Sequence, residues 1–103
     1  MPRVFSYGSL QQEAVQLATF GVLLPGVAAE ITGFELAHLE RGGKRLANVV
    51  PSRSPGNRVS GTLFDFTAAQ LAVADVYERT DNYVRIEVPL AAGGEAWVYV
   101  DGS

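Results

Sequence analysis

The sequence predicts an α+β fold, a small mixed β-barrel or curled sheet of about six strands with two helices packed around it. Short apolar segments are joined mostly by glycine-containing turns, which is typical of hairpin-linked strands, and two alanine- and leucine-rich segments have helical spacing. The 103 residues are 48% apolar and 18% charged, a composition that can bury one core. We therefore expect residues 1–103 to form a single domain.

The chain begins with a predicted strand and a predicted helix. Residues 2–6 form a short apolar segment, and residues 11–20 (QQEAVQLATF) have helical spacing. Gly21 follows at the position where a left-handed residue commonly ends a helix. The spacing predicts that the apolar face of this helix is formed by Ala14, Leu17 and Ala18.

A hairpin is expected next. Residues 28–39 alternate imperfectly around Gly33 and lead into the sequence RGGK, which is typical of a hairpin tip. Residues 45–51 then form the returning strand, and the loop SRSPGN leads to a further strand with the sequence RVSGTLFDF.

The second helix has a clear start signal. Thr67 and Gln70 have the spacing of a capping box, and the segment that follows is expected to be helical to about Arg79. Residues 83–90 and 96–100 flank the sequence AAGGE and form the last predicted hairpin. The aromatic residues of the final strand, Trp97 and Tyr99, are expected in the core or on a sheet face.

Composition excludes several kinds of function. Eight basic and eleven acidic residues give a net charge of −3, which argues against nucleic acid as a partner. The basic residues between positions 41 and 58 are expected on a solvated hairpin. Because the chain has no cysteine and only His38 as histidine, we expect no thiol chemistry, no thiolate or histidine-rich metal site and no Ser-His-Asp triad.

The sequence also indicates the cellular compartment of the protein. No apolar run approaches the roughly 18 residues of a membrane span, and residues 1–8 do not resemble a signal peptide. We therefore expect a cytoplasmic protein without a membrane partner. The sequence leaves the oligomeric state open.

Glu78 is the candidate acid–base residue. Leu71, Ala74 and Glu78 share one face of the second helix, so that the carboxylate points inward near the helix end. Burial, the negative end of the helix dipole and the like charge of Asp75 would each raise the pKa of Glu78, and general acid–base catalysis favours such a carboxyl. Alternatively, Glu78 hydrogen-bonds Arg85 or a tyrosine hydroxyl and has only a structural role.

The segment Tyr7-Gly8-Ser9-Leu10 allows two interpretations. It follows a strand and precedes a helix, where successive backbone N–H groups can hold an anion. It matches neither a Walker loop nor the dinucleotide-binding glycine pattern. Taken alone, these four residues favour an ordinary turn over an anion site.

Four short motifs occur in order and carry a resemblance. They are YGSL at 7–10, GTLF at 61–64, DVYE at 75–78 and YVR at 83–85. From Val4 to about Val100 the chain resembles the gamma-glutamylcyclotransferase-like family, which includes plant avirulence-induced proteins and gamma-glutamylamine cyclotransferases. One departure is that Arg79 and Thr80 follow the glutamate where many relatives have glycine, so a different pocket rim is expected.

The resemblance implies a function and a site. The substrate would be a small gamma-glutamyl amine, amino acid or peptide, which cyclises to 5-oxoproline without a metal or cofactor. Glu78 would be the catalytic acid/base, and Tyr83 would support the substrate or the glutamate. The substrate's α-carboxylate would be bound, largely through backbone N–H groups, by Tyr7, Gly8, Ser9 and Leu10.

Two other functions remain open from the sequence. One is a catalytically silent relative that binds a small carboxylate ligand or a protein partner through the same cavity. The other, from the fold pattern alone, is a small-barrel interaction module without pocket chemistry.

Overall fold

The computed structural model describes all 103 residues and confirms the α+β class. It contains seven strands in two sheets and two α-helices, and the larger sheet is curled without closing into a barrel. The elements are β1 (Arg3–Ser6), α1 (Glu13–Phe20), β2 (Gly26–Thr32), β3 (Phe34–Arg41), β4 (Lys44–Pro51), β5 (Arg58–Asp65), α2 (Ala68–Arg79), β6 (Tyr83–Pro89) and β7 (Glu95–Asp101). A short 3-10 turn, Ser9–Gln11, lies between β1 and α1.

The larger sheet has the strand order β2-β5-β1-β7-β6. Its central pair, β1 and β7, is parallel, and its other neighbours are antiparallel. The sheet curls far enough for Ile31 of β2 to form an isolated bridge with Leu90, just after β6. The β3–β4 hairpin forms the second sheet and is attached to β7 by an ion pair between Arg41 and Asp101, at 2.8 Å.

Seven strands are present rather than about six because the segment 28–39 is divided at Gly33. This residue has a φ of +81°, a backbone conformation that favours glycine. Its N–H donates to the carbonyl of Asn57, and its carbonyl accepts from the N–H of Ser52. The chain therefore leaves the larger sheet at Gly33 and begins the hairpin sheet at Phe34.

The predicted face of α1 is wrong. Leu17 is 51% exposed, and Ala14 and Ala18 also face solvent. The buried residue is instead Gln16, because its side-chain amide donates to the carbonyl of Leu10 (2.9 Å) and accepts from the N–H of Leu24 (3.0 Å). A polar side chain can be buried at this position because both ends of its amide have backbone partners.

The second helix follows the prediction closely. Thr67 and Gln70 form the capping box, with the Thr67 hydroxyl accepting from the N–H of Gln70 and the Gln70 side chain accepting from the N–H of Thr67. Ala74 is fully buried, and Leu71 is partly buried against the same core. This core cluster, which also contains Val4, Leu10 and Phe66, fixes the face of α2 that carries Glu78.

Candidate active site

A cavity of about 480 Å³ lies between the C-terminal end of α2, the loop after β1 and strand β4 of the hairpin. Its floor includes residues of β6 and β7, and all four tyrosines of the chain line it. The residues that carry its chemistry are Tyr7, Gly8, Ser9, Arg45, Tyr77, Glu78, Asp81, Tyr83 and Tyr99. The volume suits a small molecule.

Glu78 contributes a carboxyl group to the cavity wall. Burial, followed by the negative charge of Asp81, raises its pKa to about 7. The prediction that Asp75 supplies the like charge is wrong, because the carboxylate of Asp75 is paired with Arg85 at 2.9 Å. Arg85 is therefore not the partner of Glu78, whose carboxylate has no hydrogen-bonding partner in the protein. Glu78 is consequently available to a ligand and changes protonation near neutral pH.

The loop after β1 forms a second wall. Gly8 and Ser9 line the cavity, whereas the side chain of Leu10 is 2% exposed and lies in the core. The first hydrogen bond of the 3-10 turn runs from the N–H of Gln11 to the carbonyl of Gly8 (3.2 Å). The N–H groups of Ser9 and Leu10 precede that bond, so the turn itself supplies them with no acceptor. The loop thus has the backbone donors that an anion requires.

Two hydrogen bonds bring the loop close to the other walls. The Ser9 hydroxyl and the Tyr77 hydroxyl are 2.7 Å apart, which joins the loop directly to the residue before Glu78. The Tyr7 hydroxyl donates to the main-chain carbonyl of Tyr99, at 2.5 Å. The loop and Glu78, which are about seventy positions apart in sequence, therefore line one cavity.

Tyr83 occupies the start of β6 and connects the site to the hairpin. Its hydroxyl donates to the carbonyl of Ala47 on β4. Burial raises the pKa of both Tyr7 and Tyr83 above the usual tyrosine value, so both hydroxyls remain protonated near neutral pH. These two phenols shape the cavity and offer no negative charge.

A polar network supports the end of α2 from below. Both the Tyr99 hydroxyl (2.7 Å) and the Arg85 Nε (2.9 Å) donate to Oδ1 of Asp75. Although burial opposes it, these hydrogen bonds hold the pKa of Asp75 below its usual value. The Arg85 guanidinium also lies over the Trp97 ring, 4.3 Å from its centroid.

Of the nine residues that carry the chemistry of the cavity, four were not predicted from the sequence: Arg45, Tyr77, Asp81 and Tyr99. Tyr99 was expected in the core or on a sheet face, and it is 5% exposed, yet its ring also lines the cavity. Tyr77 and Asp81 flank Glu78, so their proximity to it in sequence was a usable signal. Arg45 comes from the distant hairpin, and no local pattern distinguishes it from its basic neighbours.

Two further features were sought in the structure, a cluster of metal-binding side chains and a membrane-spanning helix. No group of three or more histidine, aspartate or glutamate side chains is arranged to hold a metal ion. None of the helices combines the length and the apolar character that crossing a bilayer requires.

Comparisons with known structures identify the fold. The chain superposes on the solution structure of an Arabidopsis thaliana protein with a TM-score of 0.80 at 25% identity, covering 98% of this chain and 62% of that one. A Pyrococcus horikoshii protein gives 0.71 at 19% identity, with coverage of 100% and 80%. A structure described as a gamma-glutamyl cyclotransferase gives 0.72 at 18% identity, with coverage of 97% and 66%. The chain thus spans about three-fifths to four-fifths of the lengths of these proteins.

No curated protein sequence matches the chain significantly. The family model described as "Gamma-glutamyl cyclotransferase, AIG2-like" matches residues 4–102, which is nearly the whole chain. This match covers the loop after β1, the end of α2 and the β6–β7 hairpin, which are the elements that build the cavity. The protein therefore belongs to the gamma-glutamyl cyclotransferase, AIG2-like family.

Proposed function

We propose that the protein converts a small gamma-glutamyl amine, amino acid or peptide into 5-oxoproline and the free amine, with Glu78 as acid/base. The family and the fold support a cyclotransferase-type function. The observation that carries the assignment to Glu78 is an unpartnered carboxyl with a pKa raised to about 7, in a cavity whose other wall is the loop after β1.

The reaction needs only proton transfer and positioning. The substrate's α-nitrogen attacks its own γ-carbonyl carbon, a C–N bond closes the five-membered lactam, and the amide C–N bond to the departing amine breaks. The α-nitrogen begins as an ammonium and loses two protons, and the departing nitrogen gains two. Glu78 accepts the first proton so that the amine becomes nucleophilic, and its carboxyl then passes that proton to the departing nitrogen. The regenerated carboxylate carries the second proton from the ring nitrogen to the departing amine. Because the attack is intramolecular, folding the substrate into a reactive conformer supplies much of the acceleration.

The loop after β1 is the proposed carboxylate site. The backbone N–H groups of Ser9 and Leu10 would bind the substrate's α-carboxylate, since the 3-10 turn provides them with no acceptor. Tyr7 and Tyr83 would enclose the glutamyl portion, because their hydroxyls are already committed to backbone carbonyls. The α-ammonium would then face Glu78, which is the geometry that proton removal requires.

The pH dependence of the reaction should report the ionisation of Glu78. The base must be ionised to accept a proton, so kcat/KM is expected to rise about tenfold per pH unit below the pKa of about 7 and to level off above it. The measurement is kcat/KM between pH 5 and 8 at constant ionic strength. A nearly flat profile over this range, as expected for a base with the ordinary glutamate pKa of 4.5, would contradict the role of a buried Glu78.

The cavity wall formed by β4 of the hairpin is expected to determine which departing groups the protein accepts. Arg45 contributes the one cationic side chain of the cavity lining and forms no ion pair in the protein. A carboxylate on the departing group would therefore be favoured. We expect Arg45→Gln to lower kcat/KM about tenfold for gamma-glutamylalanine and less than about twofold for gamma-glutamylethylamine, which lacks the carboxylate.

A matched control separates this effect from a general loss of charge. Arg53→Gln removes the same charge from an exposed loop outside the cavity and should leave both substrates unaffected. Equal losses on the two substrates in Arg45→Gln would rule out recognition of a carboxylate by Arg45.

The proposed function is tested by incubating the protein with a panel of gamma-glutamyl compounds and measuring 5-oxoproline. Formation of 5-oxoproline from at least one of them is the expected result. Binding of 5-oxoproline without turnover of any substrate would instead identify a catalytically silent relative that uses the same cavity.

A further inference from the structure

Tyr99 makes contact with two walls of the cavity through different atoms. Its hydroxyl donates to Oδ1 of Asp75 on α2, at 2.7 Å. Its main-chain carbonyl accepts from the hydroxyl of Tyr7, at 2.5 Å, and Tyr7 begins the loop after β1. One residue of β7 therefore links the helix that carries Glu78 to the loop opposite.

The contact with α2 lies one helical turn before Glu78. Asp75 precedes Glu78 by three residues, which places the two side chains one turn apart on neighbouring faces of the helix. Glu78 is the second-last residue of α2, and helix ends fray unless side chains hold them. A hydrogen bond to Asp75 consequently restrains both the rotation and the fraying of the turn that carries Glu78.

The surroundings make that restraint firm. Tyr99 is 5% exposed, and the residue before it on β7, Val98, is fully buried, so the strand cannot shift easily. Asp75 receives a second hydrogen bond from Arg85 on β6. The direct contact between Ser9 and Tyr77 closes the arrangement on the other side of Glu78.

We propose that Tyr99 is a positioning residue, which fixes the end of α2 through Asp75 and so holds the carboxyl group of Glu78 inside the cavity and at a set distance from the loop after β1. Tyr99 acts here through Asp75 and takes no part in proton transfer. Without the hydroxyl, the last turn of α2 moves toward solvent and Glu78 becomes more hydrated.

Hydration of Glu78 would change its pKa in a direction that can be measured. Burial is the main cause of its raised pKa, so movement toward solvent lowers that pKa toward 4.5. The ionisable side chains that line the cavity with Glu78 are those of Tyr7, Arg45, Tyr77, Asp81, Tyr83 and Tyr99, and Asp75 lies one turn before Glu78 on α2. Tyr99→Phe removes none of the charged members of this set, so a downward shift reports a change of position.

The experiment compares wild type with Tyr99→Phe, using the full chain. The γ-carboxyl of Glu78 is titrated by ¹³C NMR, and kcat and KM are measured on a gamma-glutamyl substrate. We expect the pKa of Glu78 to fall by about one unit, kcat to fall about tenfold and KM to change less than about twofold. The last two readouts rest on the proposed function, whereas the titration does not.

A further variant distinguishes positioning from stability. Ile31→Val lowers the melting temperature by removing a buried methyl group from a residue that does not line the cavity, and it should leave the titration, kcat and KM unchanged.

The outcomes separate the two proposals. An unchanged Glu78 pKa in Tyr99→Phe overturns the positioning role, whether or not the protein forms 5-oxoproline. A lowered pKa together with no turnover by wild type supports the positioning role and rejects the proposed function. A lowered pKa of equal size in Ile31→Val would also overturn the positioning role, since general loosening would then explain it.

Discussion

Glu78→Gln is expected to lower the rate of 5-oxoproline formation by about a hundredfold to ten-thousandfold. The amide has nearly the same shape as the carboxyl group but cannot accept the proton of the substrate's ammonium, and proton transfer by a positioned side chain contributes rate factors of about this size. The measurement is single-substrate kinetics at pH 8, where Glu78 is ionised in wild type. Activity equal to that of wild type would exclude Glu78 as the acid/base.

The matched control for this variant is Glu87→Gln. Glu87 lies exposed on β6 and outside the cavity, so the same change of charge should leave kcat and KM at their wild-type values. Loss of activity in both variants would indicate an effect of net charge instead of a role in proton transfer.

Stability adds an independent check on the same variant. The pKa of Glu78 is about 7 in the folded protein against 4.5 for an ordinary glutamate, so the folded state binds the proton more tightly. The folding free energy that this proton contributes is present below pH 4.5 and is lost as the pH rises through about 7. At pH 8 we therefore expect Glu78→Gln to be more stable than wild type, by about 1–3 kcal/mol.

Gly61→Ala is expected to destabilise the fold by about 1–3 kcal/mol and to lower the melting temperature by roughly 5–20 °C. A Cβ atom at position 61 would lie 2.3 Å from the carbonyl oxygen of Ser6 and 2.7 Å from the ring of Phe5. Backbone must move to relieve the first contact, since a main-chain oxygen cannot rotate away. Thermal unfolding monitored by circular dichroism measures the effect.

The position of Gly61 couples this loss to the site. Ser6 is the last residue of β1, and the loop that contributes Gly8 and Ser9 to the cavity follows immediately. Gly56→Ala is the matched control, because a Cβ atom there has no neighbour within 4 Å, and its stability should stay within about 0.5 kcal/mol of wild type. Equal stability of the two variants would contradict the close approach at Gly61.

Local signals in the sequence were sufficient to predict most of the helices and strands. The capping box of Thr67 and Gln70 located the start of α2, and the spacing of Ala74 and Glu78 gave its inward face. The same spacing argument failed for α1, where Gln16 is buried through hydrogen bonds to the backbone of Leu10 and Leu24, six and eight residues away in the segments on either side of the helix. A pattern of apolar residues does not reveal a polar side chain that is buried through hydrogen bonds.

In the candidate site too, local sequence predicted some features, whereas others depend on how the chain folds. Glu78 was identified from its place on a helix, and the direction of its pKa shift was correct. The source of the like charge was not, because only the folded chain pairs Asp75 with Arg85 and leaves Asp81 nearest to Glu78. The positions of Tyr99 and Arg45 in the cavity depend on pairing between strands far apart in sequence, which no local pattern encodes.

The hairpin of β3 and β4 is a separate sheet, so two separate parts of the chain line the cavity. Glu78 and the loop after β1 belong to the larger sheet and its helix, whereas Arg45 belongs to the hairpin. The hairpin joins the rest of the molecule through Val49 in the core and through the side-chain contacts of Arg41 and Tyr83. Under the proposed function, mutations near the hairpin tip change the wall that meets the departing group and leave Glu78 and the loop after β1 unchanged.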